Sequence, residues 1–151
     1  MSIPAQLLPE PLPAEPLDIA ADWLDEATRL GAQPNPNSMS LATVDGHGQP
    51  SVRIVLCKDI LASPGLVSFY TNYESRKGGD LAGNPRAAIV LHWDHLHRQV
   101  RVEGTVVRAP AVDSDAYFAT RPWQRRVGAW ASAQSRPVSG RTALVEAVIA
   151  A

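Results

Sequence analysis

Apolar positions change their period twice along this chain of 151 residues. Ala20, Trp23, Leu24, Ala27 and Leu30 recur at helical spacing, which predicts an amphipathic helix capped by Asp18 and stopped by Gly31. From Ser38 onward the period shortens to that of strands. Met39–Val44 leads into the turn signal Asp45-Gly-His-Gly48, and Pro50–Lys58 runs back as the second arm of an antiparallel hairpin. Ser63-Pro-Gly65 marks the next turn, and Leu66–Thr71 reads as a third strand. Ser75–Leu81 reads as a short helix broken by Gly83-Asn-Pro85. Arg86–Trp93, with Ala-Ile-Val-Leu at its centre, is a buried fourth strand. Arg98–Arg108 is the fifth, with Val100, Val102 and Val106 on one face and Gln99, Arg101, Glu103 and Thr105 on the other. After Pro110 the period is helical again: Val112–Ala119, Trp123–Ala131, and a last helix capped by Ser139 and running through Leu144, Val145 and Val148. That helix meets no stop signal before Ala151, which favours a truncated version of a longer chain without deciding it.

Short antiparallel strands with turns every eight to twelve residues predict a small barrel or sandwich. The domain occupies residues 18–151, preceded by an arm over 1–17 whose five prolines bar regular structure. Composition adds bounds. An apolar fraction of 45% and a charged fraction of 19% fit a globular domain. The net charge of -1 supplies no global pull toward nucleic acid or an anionic membrane, so any anion site must be local. There is no apolar run of about eighteen residues and no secretory pattern, which makes the cytoplasm the default location. The single cysteine, Cys57, rules out an internal disulfide or a cysteine-based zinc site, and it reads as a small buried hydrophobe. His92, His95 and His97 lack a strong zinc spacing and read as surface or turn residues, so no metal site is expected.

The chemistry concentrates between Arg53 and Lys77. Arg53 and Lys58 bracket an apolar strand core, and the hydroxyl-rich Ser68-Phe-Tyr-Thr-Asn72 runs into Ser75-Arg76-Lys77 at a helix start. Each cation alone is an ordinary solvated charge. Together, hydroxyls, helix N-terminal N–H groups and positive charge are what a phosphate requires.

Nine short motifs then stand in one order: Arg53-Ile-Val-Leu-Cys-Lys58, Phe69-Tyr-Thr-Asn72, Ser75-Arg-Lys77, Asn84-Pro-Arg86, Arg98-Gln-Val100, Tyr117-Phe118, Arg121-Pro122, Gly128-Ala-Trp130 and Gln134-Ser135. In this order the chain closely resembles the pyridoxamine 5'-phosphate oxidase family, over roughly Trp23 to Leu144. The resemblance implies a mainly β fold with flanking helices, an antiparallel FMN-binding split β-barrel. It implies FMN contacts from Arg53, Ile54, Val55, Leu56, Lys58, Tyr70, Thr71, Ser75, Arg76, Lys77, Gln99, Gln134 and Ser135. It further implies a substrate phosphate held by Lys58, Tyr117 and Arg121, with Arg125 where the family carries a serine. The family's C-terminal segment, with its Trp and Arg toward FMN and its Arg-x-His pair over the substrate, has no counterpart here. No side chain is expected to act as a nucleophile.

The implied activity is FMN-dependent oxidation of pyridoxine or pyridoxamine 5'-phosphate to pyridoxal 5'-phosphate with O2, in a homodimer holding FMN at its interface. Two alternatives accompany it: a non-catalytic flavin-binding protein, and a flavin oxidoreductase of the same fold acting on another anionic aromatic. Trp23, Trp93, Trp123 and Trp130 are candidates for the interface or for ordinary core aromatics.

Overall fold

The computed structural model describes residues 8–151; the first seven positions of the proline-rich arm lie outside the described residues. Helix α1 spans Pro16–Leu30 and begins two residues before the expected Asp18 cap. The reason is local. Pro16 brings a pre-set φ to the helix start, and the Glu15 carboxylate accepts from the Leu17 N–H at 2.9 Å. Asp18 falls in the first turn, where the helix dipole favours an acid. Gly31 ends the helix at φ 61°, donating its N–H to the Ala27 carbonyl.

Five antiparallel strands follow: β1 (Ser38–Val44), β2 (Pro50–Leu61), β3 (Leu66–Phe69), β4 (Arg86–Trp93) and β5 (Arg98–Thr105). They form one curled half-barrel sheet in the order β3-β2-β1-β4-β5. The β1–β2 hairpin turns on Asp45, whose Oδ1 accepts from the His47 and Gln49 N–H groups. Strand β2 continues to Leu61, past the expected Lys58, because its second half gains β3 as a partner after a register shift between Cys57 and Asp59. Strand β3 stops at Phe69, so Tyr70 and Thr71 lie beyond the ladder rather than within it. Strand β5 ends at Thr105, where its pairing with Arg86 at the start of β4 runs out, three residues short of Arg108.

Alternation sorts the two faces. Met39, Leu41, Cys57, Ile89, Leu91 and Trp93 point inward and are buried with Ala20 and Ala27 of α1. Trp93 is core, not interface, and its indole N–H donates to the Pro36 carbonyl at 2.8 Å. Arg98 pairs with Glu26 and lies over the Trp23 ring, tying β5 to α1. Helix α2 (Arg76–Gly83) is capped by Ser75.

Among the described residues, the opposite sheet face is bare. Val52 and Ile54 remain 68% and 63% exposed. Helices α3 (Ala111–Thr120), α4 (Trp123–Ala131) and α5 (Arg141–Ala150) contain no buried residue. The cap of α5 is Gly140 rather than Ser139, without a side-chain bond.

Candidate anion-binding site

Strand β3 pairs only with the part of β2 from Cys57 onward, which leaves Ser51–Ile54 as an open sheet edge on the side away from β1. Such an edge presents unpaired backbone N–H groups alternating with carbonyls. Two other segments converge there. The start of α2 contributes Arg76 and Lys77, and the loop between α4 and α5 contributes Gln134 and Ser135. Together they line an open cavity of about 370 Å³.

The start of α2 has a strict local geometry. The Ser75 hydroxyl donates to the Asn72 carbonyl at 2.6 Å and accepts from the Lys77 ammonium and the Gly78 N–H. Ser75 is thereby spent on the helix start and buried, not lining the cavity. Gly78 lies so close to the preceding loop that a Cβ would stand 2.1 Å from the Tyr73 carbonyl oxygen. Only glycine lets the chain turn tightly enough to aim Arg76 and Lys77 at β2.

Lys77 donates to the Gln134 side-chain oxygen at 2.7 Å. Burial, followed by the positive charge of Arg53, lowers its pKa below that of a free lysine. Arg53 is held from behind. Its guanidinium donates to the Leu41 carbonyl, the Thr43 hydroxyl (2.7 Å) and the Ser51 hydroxyl, with Asp80 Oδ2 3.5 Å away. Thr43 in turn donates to Asp80 at 2.6 Å.

Among the residues singled out from sequence, the cavity gathers Arg53, Ile54, Arg76, Lys77, Gln134 and Ser135. Val55 packs on the core instead, and Leu56 lies on the bare outer face. Lys58, Tyr70 and Tyr117 form a second cluster. The two tyrosine rings stack at 3.9 Å, and the Lys58 ammonium lies 4.9 Å from the Tyr117 centroid. Thr71 adjoins Tyr70 and carries a buried hydroxyl oxygen with no partner among the described residues. Arg121 lies over the Phe118 ring, and Arg125 is exposed. Gln99 stands apart: it is exposed on β5, paired with His92, and β5 is three strand spacings from β2, roughly 14 Å.

Ser51, Thr43 and Asp80 were missed from sequence. The readable signal was a polar Thr43 in phase with the buried Met39 and Leu41. Among the described residues, no group of three or more His, Cys, Asp or Glu is placed to hold a metal ion.

Three cations, amide and hydroxyl side chains, a helix N-terminus and an open strand edge make a receptor for a phosphate ester. The donor set fits the phosphate of a flavin mononucleotide.

The family model described as pyridoxamine 5'-phosphate oxidase matches residues 25–150. A pyridoxine/pyridoxamine 5'-phosphate oxidase of Cupriavidus taiwanensis is 59% identical over 130 residues, covering 86% of this chain and 60% of that protein. Another, of Bordetella petrii, is 56% identical over 134 residues, covering 88% and 62%. The chain therefore spans about 60% of the length of the curated relatives it matches. Among solved structures, PhzG from Burkholderia lata 383, in complex with tetrahydrophenazine-1-carboxylic acid, superposes with a TM-score of 0.88 at 27% identity, covering 99% of this chain and 73% of that one. A pyridoxamine 5'-phosphate oxidase-related, FMN binding protein from Nostoc punctiforme shares the fold, with a TM-score of 0.68 at 18% identity over 89% of this chain and 73% of that one.

Proposed function

Since this chain belongs to the pyridoxamine 5'-phosphate oxidase family, we propose that it is an FMN-dependent oxidoreductase converting pyridoxine or pyridoxamine 5'-phosphate to pyridoxal 5'-phosphate with O2. The observation that carries this reading is the convergence of the open β2 edge, the start of α2 and Gln134-Ser135 on one cationic cavity. Held by Arg53, Arg76, Lys77, Gln134 and Ser135, FMN would supply hydride-accepting chemistry, with dioxygen as the final oxidant.

The chain's own residues bind and orient. Arg53, Arg76 and Lys77 would neutralise the flavin phosphate, and Gln134 and Ser135 would offer it hydrogen bonds. Lys58 and Tyr117, with Arg121 just past the end of α3, would take the substrate phosphate, and the Tyr70–Tyr117 stack braces that side. No nucleophile is required.

The active form is a homodimer with FMN at the interface. Two observations support it: the apolar outer sheet face with Val52 and Ile54 exposed, and the separation of Gln99 from the cavity of its own chain. In such a dimer Gln99 would offer its amide to the flavin held by the partner. The only cysteine is free and buried, which agrees with the cytoplasmic location we assign.

A second reading has its own support. The likeness to PhzG, crystallised with tetrahydrophenazine-1-carboxylic acid, favours oxidation of an anionic aromatic other than a vitamin B6 phosphate. Anaerobic mixing of the FMN-loaded protein with pyridoxine phosphate separates the two. Bleaching of the flavin absorbance supports the first reading. Flavin that stays oxidised overturns it, leaving the second reading or a flavin-binding protein without catalysis. Failure of the protein to retain FMN overturns the flavin reading altogether.

A further inference from the structure

Asp80 is a carboxylate where the fold would accept an apolar side chain. It sits on the face of α2 turned toward the sheet and is only 7% exposed. Burying a carboxylate is costly unless charge and hydrogen bonds compensate. Here they do, through groups that all lead to the anion cavity. Oδ2 accepts from the fully buried Thr43 hydroxyl at 2.6 Å and lies 3.5 Å from Arg53 Nη2. The Thr43 oxygen, its proton committed to Asp80, presents a lone pair that accepts from Arg53 Nη1 at 2.7 Å. With the Leu41 carbonyl and the Ser51 hydroxyl, three of the five guanidinium N–H groups are spent inward. Nη2 also faces Asp80, and Arg53 lines the cavity in the orientation these partners set.

We infer that Asp80 is a positioning residue of this anion site: its buried carboxylate, directly and through Thr43, fixes the Arg53 guanidinium at the angle from which it meets a phosphate. This rests on the flavin reading above. The sign of the effect distinguishes positioning from plain charge. Asp80 is negative, so its mere presence weakens the attraction of the cavity for a phosphate. If charge alone mattered, Asp80→Asn would tighten phosphate binding. If Asp80 positions Arg53, the same change weakens it, because a loosened guanidinium no longer meets the anion squarely.

The test compares FMN with riboflavin, which lacks the phosphate, by quenching of flavin fluorescence on the wild type, Asp80→Asn and Thr43→Val. Losing one well-aligned charged hydrogen bond corresponds to about a tenfold loss of affinity. The expected result is that loss for FMN, in both variants, with riboflavin affinity unchanged. The FMN-to-riboflavin ratio is the readout that general loosening of the fold would not move. Should Asp80→Asn fail to fold, Thr43→Val, which keeps the carboxylate and removes only the relay, carries the same criterion. Equal or tighter FMN binding in the folded variants overturns the inference, as does an equal loss for FMN and riboflavin. A wild type that binds neither flavin overturns the flavin reading and this inference with it.

Discussion

The Lys77 ammonium donates to the Gln134 side-chain oxygen at 2.7 Å, joining two segments 57 residues apart. This bond brings the loop between α4 and α5 onto the mouth of the cavity. Lys77→Met is expected to lower FMN affinity by about tenfold to a hundredfold, the range for losing a charged hydrogen bond. Gln134→Ala, which removes a neutral partner, should cost less. Titration of flavin fluorescence measures both.

Affinity should also depend on pH, with a definite sign. Burial and Arg53 lower the pKa of Lys77, so in the free protein its ammonium loses its proton below the usual lysine value of 10.5. A bound phosphate favours the protonated form, so binding takes up a proton once pH passes that lowered pKa. FMN affinity therefore falls as pH rises through it toward 10.5. In Lys77→Arg, whose guanidinium keeps its charge, the fall should vanish. For the apo protein the sign is opposite. The unfolded chain holds this proton more tightly, so the Lys77 contribution to stability rises with pH across the same window. Denaturant melts at increasing pH toward 10.5 would show the wild type gaining stability relative to Lys77→Met.

Gly78 and Gly79 are neighbours on α2 with opposite expectations. A Cβ at Gly78 meets the Tyr73 backbone at 2.1 Å, whereas one at Gly79 meets nothing within 4 Å. Gly78→Ala must displace backbone and should destabilise by about 1–3 kcal/mol while also weakening FMN binding. Gly79→Ala should stabilise by about 0.5–1 kcal/mol, the helix preference of alanine over glycine. Thermal melts in parallel decide the pair.

Ile54 is 63% exposed on the bare sheet face. Ile54→Glu would place a charge in the proposed two-fold interface, where desolvation is unfavourable. Sedimentation velocity should show a dimer for the wild type and a monomer for the variant. A wild type that remains monomeric at tens of micromolar would remove the basis for Gln99 acting on the partner's flavin.

Cys57 is 1% exposed, and burial pushes its thiol pKa up to about 11. The thiolate is the reactive form, so the native protein should not react with a disulfide reagent at pH 8 over minutes. Full reaction in denaturant provides the control.

Much of this was legible in the sequence because it is written in near neighbours. The hairpin turn at Asp45, the Ser75 helix cap and the alternation along β5 depend on residues within a few positions of one another, and the motif order carried the family. Local chemistry also misled. Asp18 is a good cap, but Pro16 behind Glu15 began the helix earlier. Tyr70 and Thr71 continue the apolar-polar pattern of β3, but the ladder ends at Phe69.

What the tertiary structure decided is which of these residues share a space. The early end of β3 at Phe69 leaves Ser51–Ile54 unpaired beyond it and turns half of β2 into the wall of a cavity. The fold then places Arg53, Lys77 and Gln134 together and leaves Gln99 three strands away. It also gives Thr43 and Asp80, unremarkable in the sequence, a buried place behind Arg53. The residue types, their local elements and the family were determined by the sequence, through short-range periodicity and capping. Their assembly was decided by strand pairing and helix packing, because such contacts join positions far apart in the chain and leave no periodic trace along it.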